Sequence, residues 1–457
     1  MRARLNIFQR TMLHWNAQHP YNAVHLACLP GVLPTARLET RIARCLDRLG
    51  LRLLTLGADG RSATFETGEG DCEVRVLAAG GQSPQQLLTE MEEQLNRPFA
   101  SDRPFCPFRF FAVPAGDSFW LGVAYFHPIA DAEAVVNVLK AVAASLTSGH
   151  DRVVSCEGQS PVSDRRVHLL ARHPGALLHK LLCLPQQIRT LRRCYRPRYR
   201  DLTNLRVGLA WSCLAQPELE ALLAGARRWD VTVNDVLLAM LLRALAPLAA
   251  ARLKARRRRR LAVGCVASLR RDLPEADRHR QSRPAVHPAS LSLRRDLPEA
   301  DRHRFGLLLG MFVVSHEVPP GLGLAQLARD IRRQTLRIKQ HKLHLAACVD
   351  LAIGRGLLRF FSPEGRLRFY PKHHPLWGGL TNMNLNALWT GDEPAAPRDY
   401  LRAVATGPAM PLVLSATTIR DHLNLCWSYR TEAFTRAEIE TVQGRFADQV
   451  AELGDSV

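Results

Sequence analysis

The sequence predicts an α/β protein of two domains, and three observations carry that reading. At 457 residues the chain exceeds what one hydrophobic core ordinarily supports. Aromatic and apolar runs bounded by Gly, Pro, Asp and Ser alternate along it with stretches of helical period. Between about Ser145 and Asp201 the composition turns polar and turn-rich and then basic, which marks a boundary. An apolar content of 47% with 23% charged residues excludes wholesale disorder.

Taken in order, residues 1–9 read as a lead-in strand. Helical periodicity then places helices at 35–49, 85–95, 134–146, 217–228, 234–253, 324–340 and 436–453. Phe105 to Val113 and Phe119 to Phe126 are aromatic-rich runs joined by Pro114-Ala115-Gly116-Asp117-Ser118, the pattern of a hairpin of buried strands. Residues 165–193 alternate leucines with basic residues, and Pro174 and Pro185 are expected to break any long surface helix there. Thr232 and Asn234 read as the cap and first turn of the helix that follows.

The second strand of the hairpin delivers Tyr125-Phe126-His127-Pro128-Ile129-Ala130-Asp131-Ala132, a His-x-x-x-Asp element at a strand-to-helix corner. In a chain with 17 histidines such a pair is expected about once by chance, so its weight lies in its context. His127 is placed as a general base, and its ordinary pKa keeps it mostly neutral near pH 7. Asp131 has two readings, a group that positions His127 and a cap for the next helix.

This hairpin and corner resemble the condensation-domain and chloramphenicol-acetyltransferase-like superfamily of thioester-dependent acyltransferases. The family element is His-His-x-x-x-Asp-Gly; here Phe126 replaces the first His and Ala132 the Gly. Further stretches resemble family elements in the right order. Trp15 to Asn22 looks like the opening strand, Thr232-Val233-Asn234-Asp235 a helix start of the family, and Val266 to Arg270 a strand ending in Arg. Leu380 to Asn386 and Leu423 to Arg430 look like late core strands.

The resemblance implies two chloramphenicol-acetyltransferase-like halves, each a mixed sheet flanked by helices, with a tunnel between them and His127 near its middle. The N-terminal half spans 1–165, a basic crossover 166–203 and the C-terminal half 204–457. It implies an acyltransferase that moves an acyl group from coenzyme A or an acyl-carrier thioester to a hydroxyl or amine, without a covalent intermediate. No cofactor is held permanently, because the acyl-CoA or phosphopantetheine-linked donor is a cosubstrate. Asp131 is expected to pair with an Arg from the second half, Arg270 first and Arg294 as its rival. Thr381, Asn382, Ser415 and Ser428 lie on strands that resemble tunnel walls, although strand packing is the ordinary role of such residues. Phe126 should point into the core, Ala132 is strained if its position needs a positive φ, and Pro128 should hold His127 extended. A non-catalytic module that docks an acidic carrier protein is the competing class.

The net charge of +20, from 62 Lys plus Arg against 42 Asp plus Glu, suits anionic partners. A carrier protein, the phosphates of coenzyme A and nucleic acid all qualify, but no zinc-finger spacing or RNA-binding strand signature supports nucleic acid. The run Arg252 to Arg260 reads as a solvated helix end, or else as a landing surface for an acidic carrier or coenzyme A. The basic segment 165–193 leaves peripheral contact with an anionic membrane open. No apolar stretch reaches the roughly 20 uncharged residues of a membrane span, and the amino terminus lacks an apolar signal core. The 11 cysteines form no paired pattern, which fits reduced thiols and a cytoplasmic enzyme, and two complementary halves would let the chain work as a monomer. Nucleophile-elbow, phosphate-loop and zinc-protease motifs are missing, and His373-His374 reads as an exposed loop. Residues 268–280 recur identically at 292–304, a tandem duplication of which one copy is expected to fill the core position.

Overall fold

The computed structural model describes residues 2–68, 72–78, 84–147, 174–269, 305–390 and 395–454. The first half runs β1 (Arg2–Arg4), α1 (Ile7–Asn16), β2 (Asn22–Pro30), α2 (Leu38–Arg48), β3 (Leu53–Leu56), β4 (Ser62–Glu66), β5 (Val74–Val76), α3 (Pro84–Asn96), β6 (Phe108–Ala115), β7 (Ser118–Phe126) and α4 (Ala132–Thr147). After α5 (Pro174–Arg192), the second half runs β8 (Val207–Leu214), α6 (Gln216–Arg228), α7 (Val233–Leu245), β9 (Leu261–Ser268), β10 (Leu309–His316), α8 (Leu324–Gln340), α9 (Ala347–Leu358) and α10 (Pro363–His373). It closes with β11 (Gly378–Asn384), β12 (Asp399–Val404), β13 (Leu412–Ile419), β14 (His422–Arg430) and α11 (Arg436–Gly454).

Local chemistry sets several of these starts. The Thr232 hydroxyl accepts from the Asp235 N–H while the Asp235 carboxylate accepts from the Thr232 N–H, a reciprocal cap that begins α7. Thr232 is thus the cap foreseen, and its partner is Asp235. Asn6 and Gln9 close the same box on α1. That helix corrects the lead-in reading, because only Arg2–Arg4 is strand and Trp15 and Asn16 end a helix before β2 opens.

The sheets are mixed. The first orders β12-β2-β7-β6-β5 and the second β10-β9-β11-β13-β14-β8, with a small β1-β4-β3 sheet beside the first. Hairpin β6–β7 turns at Gly116, whose φ of 71° suits the first loop position of a tight hairpin. Gly122 on β7 is packed against the Phe111 ring so closely that a Cβ would enter it. Gly122→Ala is expected to destabilise the first half by about 1–3 kcal/mol, measured by denaturant unfolding; an unchanged midpoint would show that the ring yields freely.

Strand β12 crosses between the halves. Although it lies at 399–404, it adds to the first sheet antiparallel to β2, with Tyr400 opposite Ala27 and Arg402 opposite His25. The division at residue 204 therefore does not separate the sheets by sequence.

Two further expectations are corrected. Pro174 and Pro185 do not break the crossover helix: Pro174 is the first residue of α5, where no N–H is needed, and Pro185 lies on its exposed side. Arg252, only 2% exposed, is no solvated helix end, since its guanidinium donates to the carbonyls of Ala246, Ala249, Glu317 and Val318. By length and composition Val233–Lys254 is long and apolar enough to cross a membrane. It begins as α7, whose Val236 to Leu242 are buried at the centre of the second half.

Candidate active site

His127 follows the last residue of β7 and opens a 3₁₀ turn, His127–Ile129, closed by the Ala130 N–H on the His127 carbonyl. Pro128 sits inside that turn, so His127 is not held extended as expected. The Nδ1 atom lies 2.9 Å from the Ala130 carbonyl oxygen. A carbonyl only accepts, so Nδ1 carries the proton and Nε2 keeps its lone pair. The Tyr21 ring stacks on the imidazole at 5.5 Å and 6°, and Tyr125 meets it edge-on at 5.7 Å. Burial pushes the His127 pKa below its ordinary value, against the Ala130 hydrogen bond and the Asp131 charge, which raise it; Arg402 adds to the depression.

Asp131, 1% exposed, caps the next helix and also reaches the second half. Its Oδ1 accepts from the Ala134 N–H at 3.0 Å, capping α4. Its Oδ2 accepts from the Leu308 N–H at 2.8 Å, and its own N–H donates to the Gly306 carbonyl. The second half is thus bound to the His127 corner through backbone groups just before β10. Arg270 and Arg294 lie outside the described residues, as does the duplication beyond Leu269. Asp131→Asn keeps one acceptor but turns an NH₂ toward a donor. A loss of about 1–3 kcal/mol is expected in thermal unfolding, and wild-type stability would remove the carboxylate from this role.

The Phe126 side chain is buried against Phe99 and Phe105, as expected. Ala132 is not among the residues with positive φ, so its substitution for Gly carries no left-handed strain.

Of the four wall residues, Thr381 and Ser415 are register partners and share a face. Ser428, opposite Val413, shares it too. The Ser415 and Ser428 hydroxyls are buried there with no hydrogen-bond partner among the described residues. Asn382 pairs with Ala416 and alternates onto the face of Leu380, which belongs to the helix-covered core of the second half. The structure therefore does not bring Asn382 to the wall.

Four residues near His127 were missed. His25 on β2 shares a 2.7 Å hydrogen bond with the Tyr400 hydroxyl, and its Nε2 is buried without a partner among the described residues. Burial drives its pKa well down, with Arg402 and His127 next in effect. Arg402, 4% exposed, reaches across to the second sheet and donates to the Thr381 hydroxyl and carbonyl, the Ala416 carbonyl and the Thr417 hydroxyl at 3.0–3.3 Å. Among the described residues no carboxylate lies within ion-pair distance of it. The alternation of Tyr400 and Arg402 within a short strand was the available signal. Tyr21, the fourth, carried no motif.

A cavity of about 290 Å³ opens nearby, lined by Trp15, Lys180, Met311, Asp350, Tyr370 and His374 among others. His127 does not line it. Trp15 meets Tyr21 at 5.4 Å, and Tyr21 meets His127. His373 ends α10 and His374 faces this cavity, which corrects the exposed-loop reading.

No family model and no curated protein matches the chain by sequence. Solved structures do match over 99% of its length. The first condensation domain of the calcium-dependent antibiotic synthetase, in complex with a substrate analogue, superposes with a TM-score of 0.67 at 14% identity and is covered over 97% of its chain. The EpoB cyclization-docking bidomain from Sorangium cellulosum gives 0.66 at 14% identity, covered over 84%. The starter condensation domain of rhizomide synthetase, in complex with C8-CoA, gives 0.61 at 14% identity, covered over 95%. With two mixed sheets flanked by helices and a strand exchanged between them, the chain has the fold of these condensation domains.

Proposed function

We propose that this protein is an acyltransferase that moves an acyl group from a thioester, coenzyme A or carrier-bound, to a hydroxyl or amine. The observation that carries the reading is the state of His127: an imidazole held neutral by burial, its Nδ1 proton committed to the Ala130 carbonyl and its Nε2 unprotonated. That atom takes the acceptor's proton as the acceptor oxygen or nitrogen attacks the thioester carbonyl. As the C–S bond breaks, the imidazolium returns the proton to the departing thiolate, so the products are ester or amide and free thiol. The Ser415 and Ser428 hydroxyls, unpaired among the described residues, are donors available to the developing oxyanion. A rhizomide synthetase domain of this fold in complex with C8-CoA supports a thioester donor here.

The test is thiol release from a panel of acyl-CoA and acyl-carrier thioesters with mixed alcohols and amines. Release that requires an acceptor and yields the matching ester or amide is expected. Negligible release with every pair, alongside binding to an acidic carrier, would replace the enzyme with a docking module.

A further inference from the structure

We infer that the outward face of α5 is a docking surface for an anionic lipid bilayer. This helix carries a charge inward and leucines outward. Its inward side carries Lys180, whose ammonium donates to Asp350 on α9 at 2.6 Å and to the Gln187 side-chain oxygen Oε1 at 2.7 Å. Its outward side carries Leu178, Leu181 and Leu182, exposed at 58%, 51% and 68%. This ion pair fixes the rotation, because turning the leucines inward would carry Lys180 away from Asp350.

A turn of 100° per residue puts Leu178, Leu182, Pro185 and Arg189 on one outward stripe, with Leu181 and Arg192 on its flank. Apolar side chains thus give way to cations along a single face. At that end Arg189, Arg192 and Arg193 face Arg256, Arg257 and Arg259 across a cleft of about 630 Å³, where Glu317 is the one acidic residue among those that line it. None of these six arginines forms an ion pair among the described residues. The helix that supplies Asp350 also exposes Ile353 and Leu357 one and two turns further on.

Contiguous exposed leucines mark an interaction surface, and the charge beside them selects the occupant. An acidic protein would meet the arginines, but to cover leucines that protrude this far it would also need a matching apolar groove. A bilayer accounts for both, as leucines enter the boundary between headgroups and acyl chains while guanidinium groups meet lipid phosphates. The net charge of +20 adds long-range attraction of the same sign.

Flotation of the full chain with phosphatidylcholine vesicles, with and without phosphatidylglycerol, tests this independently of turnover. Binding that requires phosphatidylglycerol is expected. Each arginine near the surface is worth about fivefold in partitioning, so Arg189→Gln with Arg192→Gln should weaken binding by at least about tenfold. Leu178→Ser with Leu182→Ser, at positions whose exposure leaves the thermal midpoint unchanged, should weaken it by at least about tenfold as well. No flotation with anionic vesicles would overturn the inference. Flotation that ignores the leucine changes would overturn it too, leaving a polyanion patch suited to an acidic protein.

Discussion

His127→Ala is expected to lower acceptor-dependent thiol release by about 10²–10⁴-fold while leaving a folded protein. The fold survives because the turn that carries His127 is closed through backbone atoms, the Ala130 N–H on the His127 carbonyl. The side chain gives up one hydrogen bond to Ala130, worth about 1 kcal/mol. Wild-type release in the variant would sink the base assignment. The pH profile makes the same claim in another form. Because the neutral imidazole is the active form and burial depresses its pKa, kcat/KM should fall only as the pH drops below about 6.5, the ordinary His value. An acid limb above that value would place a different group in the rate. The sign for stability is the same. Unfolded His25 and His127 bind protons near pH 6.5 that their buried folded forms refuse, so stability is lost as pH falls from there toward the folded values.

What the sequence made legible was local. Thr232 and Asp235 are three residues apart, and the Phe-rich hairpin and its His-x-x-x-Asp corner are continuous in the chain, so their pattern carries their structure. Asp131 was readable for the same reason as a cap; its hold on Leu308, 177 residues away, was foreseen only as a link to the second half. Asn382 went to the wrong face because strand alternation gives the period but not the phase, which depends on what packs behind Leu380 and Ala416. Helix α5 was missed because prolines were weighed without knowing that Pro185 would face solvent, where water can take the carbonyl left without a donor. Arg402 was invisible for a topological reason. Its importance arises only because β12 leaves the second sheet to pair with β2, which sets it opposite His25 and against Thr381 and Ala416.

Arg402 therefore serves as both clamp and field, and two substitutions separate the roles. Arg402→Met removes a guanidinium that donates to acceptors on β11 and β13 from a strand of the first sheet, leaving carbonyls and hydroxyls without their donor between the halves. Loss of about 2–4 kcal/mol is expected on that account, tempered because a buried cation without a carboxylate is itself costly. The same change removes a positive charge that opposes protonation of His127 and His25. Both imidazoles should then take up protons more readily, and the acid limb of kcat/KM should move upward. Arg402→Lys keeps the charge but lacks the planar fork that reaches two strands at once, so it should lose stability while leaving the acid limb near its wild-type position. If both variants shift the limb equally, the field of Arg402 is not what tunes His127. If Arg402→Met melts with the wild type, the clamp between the sheets lies elsewhere. A lower melting point in both variants, with the limb displaced only in Arg402→Met, would establish that one exchanged strand joins the halves and also keeps the base unprotonated.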